Sequence, residues 1–237
     1  MKLKKCENYT ELSRVCADRV ADVLRAKPDA LLCFAAGSTS VGMFNALRRM
    51  QRDGLTDLRR ARFVALDEWL DLADESENCA AFMRRSFYDP LGIAPERIRW
   101  FDIHNPDRAR MLADMDAFLA AQGPIDCMVL GIGMNGHVGL NEPGTSWDCG
   151  ALVAELDETT ASVGQKYFSQ GMRLTRGVTL GMRHIFAART VILQASGVHK
   201  RGIVRQLLAC EPSVALPASA LRLMPDAWFV YDTELEG

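Results

Sequence analysis

The sequence predicts an α/β protein: a three-layer, mostly parallel, Rossmann-like sheet with helices on both faces. Short, continuous apolar runs alternate with stretches of helical periodicity along nearly the whole chain, as in a parallel sheet whose strands are buried on both sides. Polar turns close three of those runs, at the strand ends where open parallel sheets collect ligands. The 237 residues, 49% hydrophobic and 24% charged, suffice for a sizeable core without disulfides. No repeat, low-complexity tract or linker divides the chain, so residues 1–237 are expected to form a single domain.

The elements follow in order. Leu12, Val15, Cys16, Val20, Val23 and Leu24 recur at helical spacing over residues 9–26, and Lys27-Pro28-Asp29 ends the run. Residues 30–36 (ALLCFAA) read as a buried strand, after which Gly37-Ser38-Thr39-Ser40 opens a helix to about residue 52. Residues 62–66 (RFVAL) form a strand stopped by Asp67-Glu68-Trp69. A helix over 78–88, a short strand over 98–101 and a helix over 107–122 follow, the last ended by Gly123-Pro124. Residues 126–132 (DCMVLGI) are the clearest strand. Residues 143–170 mix Gly, Ser, Asp and Thr irregularly, as an active-site lid would. Strands over 189–195 (RTVILQA) and 227–231 (AWFVY) flank a helix over about 199–209.

Composition excludes several classes of function. A formal net charge of -2 attracts no nucleic acid, and no aromatic residues interleave with Arg48–Arg49, Arg59–Arg60 or Arg84–Arg85 to stack bases. The seven cysteines show no C-x-x-C spacing, so neither a disulfide framework nor a zinc site is indicated. Cys33 and Cys127 lie in apolar runs as small hydrophobes. No signal peptide and no apolar stretch of ~20 residues is present, so no membrane contact and a cytoplasmic location are expected. The sequence leaves open whether the chain forms a homo-oligomer.

Three clusters at strand ends carry chemistry. Gly37-Ser38-Thr39 offers backbone N–H groups and hydroxyls to an anion, or simply caps a helix. Asp67-Glu68 closes an apolar strand, where carboxylates are costly unless paired or used; a capping Asp is the other reading. The third cluster runs from Gly131 to Pro143 (GIGMNGHVGLNEP). Its formal G-x-G-x-x-G opens no long helix, because Gly139, Pro143 and Gly144 would break one, so a dinucleotide site is rejected. It carries His137 with Glu142 five residues on, the makings of a proton shuttle.

Together these stretches resemble the glucosamine-6-phosphate deaminase/isomerase family. The matching segments are A-A-G-S-T-S at 35–40, V-A-L-D-E-W at 64–69 and G-I-G-M-N-G-H-V-G-L-N-E-P at 131–143. T-L-G-M at 179–182 and S-G-V-H-K at 196–200 add to them, and the likeness runs in order from about residue 7 to 232. The chain looks closer to the galactosamine-6-phosphate isomerase branch in E-N-Y-T at 7–10, K-P-D-A at 27–30 and Leu216-Pro217-Ala218-Ser219.

The resemblance implies that Asp67 moves a proton between C2 and C1 of the opened sugar. It implies that His137 opens the ring and that Glu142 orients His137. Gly37, Ser38, Thr39 and Lys200 would hold the phosphate, with Gly136 contributing from the glycine loop. Lys166 stands where glucosamine enzymes carry a phosphate-contacting Arg, and supplies charge without a bidentate fork. Asn135 replaces the Asp of Asp-Gly-His; an amide orients an imidazole without raising its basicity. The implied substrate is a hexosamine 6-phosphate, galactosamine 6-phosphate favoured over glucosamine 6-phosphate, and the implied isomerisation and deamination require neither a metal nor an organic cofactor. Two alternatives are 6-phosphogluconolactonase, whose loop runs on to Ala-Ser-Leu-Phe-Pro, and a non-catalytic sugar-phosphate sensor, which would need a DNA-binding segment.

Overall fold

The computed structural model describes residues 1–236. In chain order they form β1 (Lys2–Cys6), α1 (Tyr9–Ala26), β2 (Leu31–Phe34), α2 (Ser40–Arg52), β3 (Arg62–Val64) and β4 (Asp67–Leu70). Next come α3 (Cys79–Met83), α4 (Asp89–Leu91), β5 (Ile98–Arg99), α5 (Arg108–Gln122) and β6 (Cys127–Gly131). The chain continues through β7 (Leu152–Glu155), α6 (Glu158–Gly164), β8 (Arg176–Thr179) and α7 (Met182–Ala187). It closes with β9 (Val191–Ala195), α8 (Arg201–Ala209) and β10 (Trp228–Asp232).

Seven strands make one parallel sheet in the order β1-β10-β9-β6-β2-β3-β5. Its strands alternate between two cores, as the period of two requires. Leu31, Cys33, Met128, Leu130 and Leu193 face one core; Leu32, Phe34, Cys127, Val129 and Ile192 face the other. The second core is closed by α1 and α2, and by rings of Phe34, Phe44, Phe63, Phe87 and Tyr88, with Phe44 and Phe87 centroids 4.7 Å apart. All seven cysteines are free, with Cys33 and Cys127 buried. Among the described residues no helix is long and apolar enough to cross a membrane.

The structure departs from the sequence reading in four places. Asp67-Glu68-Trp69 does not stop a strand but begins β4, the edge of a second, antiparallel sheet ordered β4-β8-β7. The stretch 143–170 is not irregular throughout: it supplies β7 and α6, and Ala154 of β7 and Phe168 after α6 pack with Trp69 and Leu140. The helix over 78–88 is α only to Met83 and then widens to a π turn over Arg84–Tyr88. Finally, β1 is an edge strand in which only Cys6 is buried. Its three lysines face solvent or the sheet margin, so no apolar pattern marks it, and pairing with β10 alone makes it a strand.

Candidate active site

All three polar clusters reach one cleft at the carboxyl ends of β2 and β6. Gly37, Ser38, Thr39, Asp67, His137 and Lys200 line it, and α6 with the following turn roofs it through Thr160, Lys166 and Tyr167. The β4–β8 pairing runs on into the segment that leaves β3, where Leu180 N–H donates to Leu66 O at 2.8 Å, just before Asp67. Thr179 Oγ1 accepts from Leu140 N–H at 3.1 Å and shares its proton between Leu66 O at 3.3 Å and Leu180 O at 3.2 Å. That hydroxyl locks the His137 loop to the Asp67 strand, a structural task for the T-L-G-M segment.

Asp67 and Glu68 divide their labour. Strand alternation sends Glu68 into the protein, where its carboxylate accepts from the N–H groups of Trp69, Cys79 and Ala80 at 2.8–2.9 Å. With Asn78 Oδ1 accepting from Ala81 N–H at 2.8 Å, it fixes the start of α3. Capping therefore belongs to Glu68 and Asn78, and Asp67 is left on the cleft wall. Burial, with the charge of Glu68 behind it, pushes the Asp67 carboxyl up to about 7, opposed by the Cys79 thiol. A carboxylate poised near neutrality suits a general base.

His137 rides on a tight turn. Gly133 N–H donates to His137 O and Gly136 N–H to Gly133 O, each at 3.0 Å. The imidazole lies over Gly133 so closely that a Cβ there would sit 2.3 Å from Nε2, and Gly136 turns with φ +88°. His137 Nδ1 is 3.0 Å from Thr160 Oγ1 and 3.6 Å from Glu142 Oε2. Asn135 Nδ2 donates to Glu142 Oε2 at 2.7 Å and to Thr160 Oγ1 at 3.3 Å, while Asn135 Oδ1 accepts from His137 N–H at 3.3 Å. Burial would raise the Glu142 carboxyl, but contacts with His137, Thr160 and Asn135 outweigh it and hold the group below its ordinary value.

At the other end the cleft gathers the turn before α2 and two lysines. Thr39, at the start of α2, makes no side-chain cap; its Oγ1 instead accepts from Lys200 Nζ at 3.4 Å. The Tyr9 hydroxyl donates to the carbonyls of Ser38 and Thr39 at 3.1 Å and accepts from Gly42 N–H at 2.7 Å, holding the turn in shape. Gln194 donates to Ser40 Oγ at 2.8 Å, tying the start of α2 to β9. Half-buried Lys200 is pushed down to about 8 by burial and by the nearby charge of Lys166. Burial lowers Lys166 as well.

Of the residues singled out in the sequence, Asp67, His137, Gly37, Ser38, Thr39, Lys200 and Lys166 line the cleft. Glu142 and Asn135 stand behind His137 instead. Gly136 is buried against Leu216 and Ile203, away from the cleft, and its carbonyl accepts from Ala218 N–H at 2.9 Å. Its place is in the turn, braced by the Leu216-Pro217-Ala218-Ser219 segment. Thr160, Cys79, Tyr167 and Tyr9 escaped the sequence reading. Asp157, which caps α6 by accepting from Thr159 N–H at 2.8 Å, is the local signal that could have placed Thr160 on a helix. No local signal places it beside His137.

A carboxylate and an imidazole sharing a cleft with a cationic cradle, at the carboxyl edge of a parallel sheet, define an acid–base enzyme for a small anionic substrate. The family model of glucosamine-6-phosphate isomerases/6-phosphogluconolactonase matches residues 4–228. The glucosamine-6-phosphate deaminase of Bacillus velezensis is 33% identical over 239 residues, covering 100% of this chain and 99% of that one. The solved structure of a monomeric glucosamine-6-phosphate deaminase superimposes with TM-score 0.95 at 32% identity, over 100% of this chain and 99% of that one. A 6-phosphogluconolactonase from Trypanosoma brucei shares the fold, with TM-score 0.76 at 21% identity over 99% and 97% of the two chains. The chain belongs to the glucosamine-6-phosphate isomerase/deaminase family, and it is an enzyme of the amino-sugar isomerase/deaminase type.

Proposed function

We propose that this chain, acting as one cytoplasmic domain, isomerises and deaminates a hexosamine 6-phosphate to a ketohexose 6-phosphate and ammonia. The observation that carries the reading is the meeting of Asp67, His137 and Lys200 in one cleft. The α2 turn and Lys200 hold the phosphate, Lys166 adds charge, and this remote binding orients C1 and C2.

His137 Nε2 takes the anomeric hydroxyl proton. The C1–O5 bond breaks as the C1 carbonyl forms, and the proton passes to O5. Asp67 then removes the C2 proton, giving an enol-amine, and returns it at C1; one proton of the C2 ammonium ends on O1. Water adds to the resulting C2 iminium, and ammonia leaves. A carboxyl held near 7 can both take and return that proton at neutral pH.

Between epimers, we favour galactosamine 6-phosphate. Asn135 and the motifs at 7–10 and 216–219, which resemble that branch, support the reading. Glucosamine 6-phosphate, named in the deaminase relatives, is the second substrate. The test is ammonia release from both epimers with 6-phosphogluconolactone as control. Higher kcat/KM for the galacto epimer supports the preference, and a clear gluco preference reverses it. Lactone hydrolysis without ammonia release overturns the whole reading.

A further inference from the structure

The mechanism needs His137 to present one defined nitrogen to the cleft, and what sets that nitrogen is not the obvious group. Glu142 Oε2 is 3.6 Å from Nδ1, beyond a hydrogen bond. Thr160 Oγ1, at 3.0 Å, is within one. Thr160 is buried, 4% exposed, on α6. Its hydroxyl has one proton and two lone pairs to distribute.

Asn135 Nδ2, 3.3 Å away, can only donate to it, and one lone pair is therefore used. Glu142 Oε2, 3.6 Å from Nδ1, favours a proton on that nitrogen, and the Thr160 hydroxyl proton then turns away from the ring. The remaining lone pair faces His137 Nδ1. A proton on Nδ1 satisfies it and also lies beside the carboxylate 3.6 Å away; a bare Nδ1 would turn its lone pair toward that negative charge.

We propose that Thr160 is a positioning residue: its hydroxyl accepts Nδ1–H of His137, relays the orientation set by Glu142 and Asn135, and leaves Nε2 of the neutral ring unprotonated in the cleft. The reading deepens the proposed function, because an unprotonated Nε2 is the atom that takes the anomeric proton. It also assigns a task to α6. The helix that roofs the cleft is the same one that sets the protonation pattern of the imidazole, so displacement of the roof would release the tautomer.

The test compares Thr160→Val, which keeps the shape and removes the hydroxyl, with Thr160→Ser, which keeps the hydroxyl and removes the methyl. The ring nitrogens of His137, assigned against His137→Gln, are followed by nitrogen-15 NMR alongside ammonia-release kinetics. In the wild type and in Thr160→Ser, Nδ1 carries the proton. In Thr160→Val the two tautomers mix and kcat falls about 10²-fold with little change in KM. Retention of a bare Nε2 and of wild-type kcat in Thr160→Val overturns the proposal. So does a Thr160→Ser variant as impaired as Thr160→Val, since packing of the methyl would then be the cause. If the wild type releases no ammonia from either epimer, the deaminase reading falls, while the tautomer measurement still decides the role of Thr160.

Discussion

At one end of the cleft His137, Thr160, Asn135 and Glu142 form a closed set of polar contacts, with Glu142 held below its ordinary value. At the other end Lys200 and Lys166 repel each other, and Thr39 Oγ1 at 3.4 Å is the hydrogen-bond partner described for Lys200 Nζ. Apart from Glu142 Oε1, which is buried without a hydrogen-bond partner, the first end is satisfied internally, and its geometry is decided before any substrate arrives. The second stores unfavourable electrostatics that a phosphate dianion would relieve, raising both lysine pKa values. In the proposed function, preorganisation serves the chemistry and uncompensated charge serves binding. Asp67 sits between the two regimes, on a cleft wall that disfavours its charge.

The largest test of that division is Asp67→Asn. It should lower kcat/KM for ammonia release by about 10²–10⁴-fold while inorganic phosphate binds as in the wild type; normal turnover would remove Asp67 from the chemistry. The same variant carries a stability signature. The folded-state pKa of Asp67 is raised from 3.8 to about 7. The neutral form is therefore the one the fold favours, and stability present below pH 4 is lost as pH rises through 7. Asp67→Asn should match the wild-type Tm near pH 4 and exceed it at pH 8, as measured by thermal unfolding across pH.

Next in size is Lys200→Met, which should act on binding more than on chemistry. A hydrogen bond to a charged group is worth roughly 1.5–3 kcal/mol, so kcat/KM should fall about 10–100-fold, mostly through KM. An equal fall in kcat with unchanged KM would erase the contrast between the two ends.

The pH profile separates them further. kcat/KM should rise as Asp67 ionises near 7 and fall as Lys200 loses its proton near 8. In kcat the alkaline limb should move upward, because bound phosphate stabilises the ammonium. Lys200→Arg should remove that limb, since a guanidinium stays charged. An unchanged alkaline limb in Lys200→Arg would assign it to another group.

The smallest expected effect is that of Tyr9→Phe. It leaves Gly42 N–H without its 2.7 Å partner and frees the cradle turn. The expected loss is about 1 kcal/mol of stability with a several-fold rise in KM and little change in kcat. A change in kcat alone would place Tyr9 in the chemistry.

The parallel sheet was legible where burial on both faces left continuous apolar runs, as in LLCF at β2 and CMVLG at β6. It was illegible in β1, whose lysines lie at an edge, and in β4, whose Asp67 and Glu68 looked like a strand end. Both are strands because of what they pair with: β1 with β10, β4 with β8. The candidate site followed the same rule. Asp67, His137 and Lys200 stood out because polar groups after apolar runs need a reason. Thr160 did not, because a threonine in a polar stretch needs none.

The sequence by itself determined the alternation of buried strands and amphipathic helices, the glycines that let His137 lie flat on its turn, and the acids and cations available to a site. These are local properties, written in residue type and period. Tertiary structure alone decided that Glu68 rather than Asp67 caps α3, that Gly136 turns away from the cleft, and that Thr160 meets both His137 and Asn135. Each depends on which groups from distant segments approach within about 3 Å of one another, the range over which a hydrogen bond chooses its partner.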